Sequence, residues 1–263
     1  MPASKRPGFR KWVDAQVDPA WPLMPLTHIC KALIAEDIAR DGTIEPRDCK
    51  VFDKALAYLF YGRPAYRTKG DGAIKLPAAC PVCFVFDPDV INQADEIHPF
   101  DTGAFEARLY KHVMMDEMAV EDFSLEQASR RPNRLIHALY GTRAAYFDGD
   151  THQLKEDVVA SSEFLGTAYV ELLTSKGRNE PDDRVGTIEI ITSKSIKIAG
   201  NLKSIVVPDI IWSDKDRADW LSELEKDGVD IVPFRYLHGR EPEHHHSLIE
   251  IALRQFLFDN DHL

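Results

Sequence analysis

LTHICKALIAEDIARDGTIEP, residues 26–46, decides how the rest of the chain is read. Leu26 to Ile29 has the look of a short strand. From Lys31 to Arg40 the apolar positions Ala32, Leu33, Ile34 and Ile38 fall at helical spacing. Gly42 stands where a helix commonly ends in a left-handed residue. Ile44-Glu45-Pro46 then opens an extended stretch. A strand, a helix and a second extended segment within 21 residues point to a mixed chain, and each neighbouring segment must fit that frame.

Downstream, Leu56 to Phe60 is continuously apolar and aromatic, as for a buried strand, and Gly62 and Pro64 break it. Pro81 to Phe86 reads as a second buried strand, ended by Asp87-Pro88-Asp89. Phe105 to Met118 and Leu125 to Leu139 read as helices, with Pro132 opening a new helix in the second. Glu163 to Leu173 gives mixed signals. Ser175 to Arg184, SKGRNEPDDR, is a polar loop. Strands are expected over Val185 to Thr192 and Ile205 to Val207, separated by the short segment Ser195 to Leu202. A helix is expected over Asp216 to Lys226, a short strand over Asp230 to Pro233, and a final helix over Ser247 to Phe258. Upstream, five prolines between Pro2 and Pro25 make residues 1–25 an irregular N-terminal arm.

Strands here are rarely separated by single helices of regular length, which disfavours a doubly wound parallel sheet. The expected fold class is mixed α+β: one domain over 26–263, with a helical insertion at about 104–160.

Composition bounds the function. The chain has 263 residues, 44% of them hydrophobic and 29% charged, enough for a sizeable core. Its net charge of −11 argues against a protein that coats nucleic-acid backbone. The basic stretch Lys5, Arg6, Arg10, Lys11 and the run Arg130, Arg131, Arg134 read as solvated surface. No apolar run approaches the roughly 18 residues that span a bilayer. The basic N-terminus also lacks an apolar signal core, so no membrane association and a cytoplasmic location are expected.

Of the four cysteines, Cys80 and Cys83 form CPVC, which runs straight into Phe84-Val85-Phe86. A buried thiol pair is the favoured reading, with zinc or redox chemistry as the alternatives. His244-His245-His246 reads as a polar entry to the last helix. GxGxxG and the Walker loop are both absent, so a bound nucleotide would be held another way.

Three segments together suggest chemistry. The first is the quoted stretch. The second is Leu59-Phe60-Tyr61-Gly62-Arg63-Pro64-Ala65-Tyr66-Arg67. The third is Gly186-Thr187-Ile188-Glu189-Ile190-Ile191 with Leu202-Lys203-Ser204-Ile205-Val206-Val207-Pro208. Glu189 is a lone carboxylate among isoleucines. It either faces outward on a half-exposed strand or is buried and needs a partner.

In order and spacing these segments resemble the ADP-ribosyltransferase superfamily, and most of all the DarT-type toxins that modify nucleic acid. The resemblance covers residues 26–70 and 184–210, under a third of the chain. It implies a split β-sheet core and NAD as co-substrate, with no metal. Glu189 and Arg63 would be catalytic, Arg63 against the pyrophosphate. Thr27, His28, Tyr61, Tyr66 and Arg67 would bind the co-substrate. The acceptor would be a macromolecule, whether DNA, RNA or protein, and the chain a toxin or phage-defence effector with an antitoxin as a possible partner. NAD hydrolysis, or a non-catalytic binding protein on the same scaffold, are the alternatives. A metal-dependent hydrolase built on the histidines and CPVC ranks last. Asp101-Thr102-Gly103 either caps a helix or belongs to a loop that brings His98 or Asp101 to the acceptor.

Overall fold

The computed structural model describes residues 6–66, 72–155, 157–175, 184–213, 215 and 217–263. In chain order its helices and strands are α1 (Gly8–Asp14), β1 (Leu26–Lys31), α2 (Ala32–Asp41), β2 (Thr43–Ile44), β3 (Arg47–Cys49), β4 (Lys54–Tyr61), β5 (Pro81–Phe86), β6 (Glu96–His98), α3 (Thr102–Glu106), α4 (Arg131–Tyr140), α5 (Arg143–Asp148), α6 (Phe164–Thr174), β7 (Glu189–Thr192), β8 (Ile196–Lys197), β9 (Leu202–Pro208), α7 (Asp219–Lys226), β10 (Asp230–Phe234) and α8 (Pro242–Asp259). The quoted stretch folds as expected. Gly42 takes φ +71° and its N–H closes α2 on the Ile38 carbonyl at 2.9 Å.

The class is mixed α+β. The main sheet runs β10-β9-β5-β1-β4-β7-β6, with β3 added on β4. Only β10 and β9 pair in parallel; every other pair is antiparallel. Its core lies on both faces. Val82, Phe84, Phe86, Ile205 and Val207 face α2 and α7. Cys83, Val85 and Val206 face α8 through Ile249, Leu253 and Leu257.

The sheet is pinched at its centre. β1 and β4 share only two register pairs, Leu26 with Tyr61 and Thr27 with Phe60. Beyond them β1 stays on β5 and β4 stays on β7, so the two halves are no longer laddered together. At the pinch, the turn after β4 needs glycine. Gly62 sits at φ +65°, and a Cβ there would lie 2.4 Å from Met24 Cε.

Several elements depart from the expected ones. Within the supposed arm, α1 places Phe9, Trp12 and Val13 in the core at helical spacing. Phe9 packs edge-on against Phe123 and Tyr169, with centroids 5.4 and 5.5 Å away. The prolines flank this helix instead of interrupting it, and residues 1–5, Lys5 among them, lie outside the described set.

The expected helix Phe105–Met118 stops as α3 at Glu106, because Arg108 takes φ +61°, outside helical space. Tyr110 and Met114 are buried from turns instead. Helix α4 begins only at Arg131, with Pro132 in its first turn, where its missing N–H costs nothing. The region 104–160 therefore combines turns with short helices. The ambiguous 163–173 is α6. Strand β7 is shorter than expected and starts at Glu189; β8 occupies part of Ser195–Leu202. Residues 176–183 of the polar loop and 216 of the expected helix lie outside the described set.

The arginines read as solvated surface are instead ion-paired. Arg130 and Arg134 meet Asp18, Arg131 meets Asp14 at 2.7 Å, and Arg6 meets Asp122 at 2.7 Å. Together they tie the N-terminal segment to α4 and the turn before it. Cys80 and Cys83 are buried free thiols, and burial pushes Cys80 up to about 12. His244–His246 falls in the first turns of α8; His245 is fully buried there, its Nε2 accepting from the Leu237 N–H at 3.3 Å. Among the described residues no helix is long and apolar enough to cross a membrane.

Candidate functional site

Where the β1–β4 ladder stops, a cleft of about 620 Å³ opens. Such a volume lies in the usual range of about 300–1,000 Å³ for small-molecule sites. β1 contributes His28, Ile29 and Cys30 to its lining, and β4 contributes Tyr58 and Phe60. Arg47 and Cys49 come from β3, and Tyr66 from the segment after β4. Asp101, Arg184 and Glu189 complete the wall.

Glu189 is the centre of this arrangement. Directly paired with Phe60, it shares the sheet face of Phe60 and Tyr58, opposite to the core residues Leu59 and Ile190. Only 2% of it is exposed. Its Oε2 accepts twice from Thr102, from the backbone N–H at 3.1 Å and from the hydroxyl at 2.7 Å. Burial, and next the Asp101 carboxylate, push its pKa well above the ordinary glutamate value, against the Thr102 donors and the Arg184 guanidinium. The outward-facing alternative for Glu189 is therefore excluded by its burial.

Asp101 does two things at once. Its Oδ1 caps α3, accepting from the Ala104 N–H at 2.7 Å, and its Oδ2 pairs with Arg184 Nη1 at 3.0 Å. The capping alternative for this loop holds, and the capping residue also lines the cleft.

His28 Nδ1 lies 2.9 Å from the Tyr58 carbonyl. A carbonyl only accepts, so Nδ1 carries the proton and Nε2 is left as the acceptor. Burial lowers the basicity of this histidine, which keeps the ring neutral. Across the pinch, the bond joins β1 to β4 where their ladder has ended. Tyr58 O–H donates to Cys49 Sγ at 2.6 Å, and burial, then that bond, raise its pKa.

Of the residues expected at the site, Glu189, His28 and Tyr66 line the cleft. Thr27 does not: it is fully buried, and its hydroxyl is spent on the Phe60 carbonyl at 3.3 Å. Tyr61 is likewise core. Its hydroxyl donates to Asn133 Oδ1 at 2.7 Å and accepts from the Met24 N–H at 3.0 Å. Arg63 turns away toward α8, with Nε 3.7 Å from Glu250, and its Nη1 lies 2.9 Å from where a Cβ would stand on Gly149 or Gly186. Arg67 lies outside the described residues.

Tyr61→Phe strips the Met24 N–H and the Asn133 carbonyl of a buried partner. The expected cost is about 1–3 kcal/mol, read from the urea midpoint at unchanged slope.

The cleft also holds residues that sequence reasoning passed over. Arg184 ends what read as a featureless loop. Arg47 follows Pro46 in an extended stretch. Tyr58 sat inside an apolar run that read as uniform core. Only alternation along β4 separates it from Tyr61, three residues on and on the opposite face. Comparison of the chain with protein-family models, curated proteins and solved structures finds no match in any of the three.

Proposed function

We propose that this chain is an NAD-consuming ADP-ribosyltransferase, with a fold of that type, and that its working carboxylate is Glu189. The observation that carries the reading is the burial of Glu189 on a central strand at the wall of a cleft, one oxygen fixed by Thr102. Holding a carboxylate in such a place costs free energy, and groups perturbed in this way cluster at functional sites.

In the reaction, the bond between the nicotinamide nitrogen and ribose C1′ breaks, and its electron pair leaves with nicotinamide. The ribose passes through an oxocarbenium-like state, as in glycoside chemistry. Glu189 stands to stabilise that positive charge and to take the proton of the attacking acceptor, for which a raised pKa suits it. Arg47 and Arg184 are the cations of the cleft that suit the pyrophosphate. The His28 Nε2 suits a ribose hydroxyl or the nicotinamide amide as acceptor, and Tyr66 offers a ring face. We place Arg63 outside the reacting groups. The acceptor is a macromolecule, DNA, RNA or protein, and the chain acts in the cytoplasm as a toxin or phage-defence effector.

The test is transfer of label. NAD labelled in its adenine is incubated with the chain and, separately, with DNA, RNA and a protein extract. Label appearing on one acceptor class supports the reading and names the class. Free ADP-ribose at the same rate with every acceptor would replace transfer by hydrolysis.

A further inference from the structure

His98 ends β6, in register with Glu189 of β7. Directly opposed residues of an antiparallel pair share one face, with Cβ atoms about 4.5–5.5 Å apart, so imidazole and carboxylate are neighbours. His98 is fully buried, and neither of its ring nitrogens has a hydrogen-bond partner. Beside it stands the ring of Phe52, with centroids 6.1 Å apart, which offers no acceptor. A neutral imidazole always carries one N–H and one acceptor nitrogen. Leaving both unmade in a protein interior is uncommon and costly.

The other half of the observation is on the carboxylate. Both Thr102 donors converge on Glu189 Oε2, and Oε1 receives neither. A buried imidazole without a partner thus stands across the ladder from a carboxylate whose second oxygen takes neither Thr102 donor. The remaining polar and charged groups facing Glu189 are accounted for: Arg184 pairs with Asp101, and Tyr58 donates to Cys49.

We propose that His98 is the positioning residue of Glu189: when the carboxylate ionises, the His98 N–H donates to it and fixes it against the cleft wall while Thr102 holds Oε2. This rests on the reading of Glu189 as the working carboxylate. His98 has no exposed surface and does not touch the co-substrate. Burial holds its basicity down to about 3, so it remains a neutral donor throughout the working range and adds no charge of its own.

The test follows Glu189 itself. Infrared difference spectra taken along a pH titration, with Glu189→Gln as the blank, report the loss of its carboxylic C=O band. His98→Phe raises that ionisation midpoint by about one pH unit. His98→Gln retains an N–H donor and stays close to wild type. If NAD is cleaved, His98→Phe lowers kcat about tenfold with little change in KM, and His98→Gln recovers most of the loss. In the wild-type chain, the His98 ring N–H resonance moves downfield with the midpoint of the infrared titration, which requires no variant. An N–H resonance that ignores Glu189 ionisation, or a midpoint unchanged in folded His98→Phe, overturns the pairing. Both optical and resonance readouts work without NAD, so failure of the enzyme reading leaves a distinct signature: normal pairing, no cleavage.

Discussion

Glu189→Gln melts higher than the wild-type chain at pH 8, and the two converge below about pH 4. The wild-type carboxyl has its pKa raised on folding, by burial first and by Asp101 next. Below the unfolded value of about 4.3 it is protonated in both states and folding carries no penalty. As pH rises through the folded value, burying the group requires either proton uptake or a buried charge, and stability falls until both states are ionised. Glutamine keeps the shape and an acceptor oxygen for the Thr102 donors, without that term. The gain at pH 8 is therefore about 1–3 kcal/mol. At this chain length each kcal/mol moves Tm by about 2–4 °C. Differential scanning calorimetry at several pH values checks it, and a variant that melts lower at every pH contradicts the account of a destabilising, functional carboxylate.

Arg184→Ala has the opposite effect. Arg184 and Asp101 are largely buried, with side chains 16% and 6% exposed, and they pair at 3.0 Å. Removing the guanidinium leaves Asp101 beside Glu189, two carboxylates competing for one proton. Breaking one side of such a pair costs about 2–4 kcal/mol at pH 8, somewhat less than for a fully buried pair. Glu189, whose folded pKa is already raised, loses an opposing cation, so the cost shrinks as pH falls and it takes up a proton. Asp101→Asn added to Arg184→Ala recovers most of the loss, because asparagine still caps the Ala104 N–H. A double-mutant cycle in urea at pH 8 and pH 5 reads the coupling directly. Independent, additive costs at both pH values would show that Asp101 and Arg184 are not the pair that holds this wall.

Much of this architecture is legible in the sequence, and the boundary of legibility has physical causes. Local signals sufficed for β1, α2 and the Gly42 stop, where periodicity and a left-handed glycine agree. They sufficed for Glu189 as a residue of interest, because one carboxylate among isoleucines is conspicuous. Its partner was not legible: Thr102 stands 87 residues earlier, and only the sheet brings them together. Phe9, Trp12 and Val13 carried helical spacing, but the surrounding prolines masked it. Phe105, Tyr110 and Met114 looked like a continuing helix, yet their burial is achieved through turns after Arg108. The exchange of Tyr61 for Tyr58 has the simplest cause. A strand covered on both faces shows no alternation of polarity, so its sequence does not reveal which face borders a cleft.

The central claim is that Glu189 drives cleavage of the nicotinamide–ribose bond, and nicotinamide release tests it most directly. The wild-type chain and Glu189→Gln are each incubated with NAD and the acceptor mixture at pH 8, after melting curves have shown both folded. The account predicts release by wild type and a rate lower by about 10³-fold or more in the variant. Equal release by the two chains, or none from a folded wild type with every acceptor class present, would contradict it.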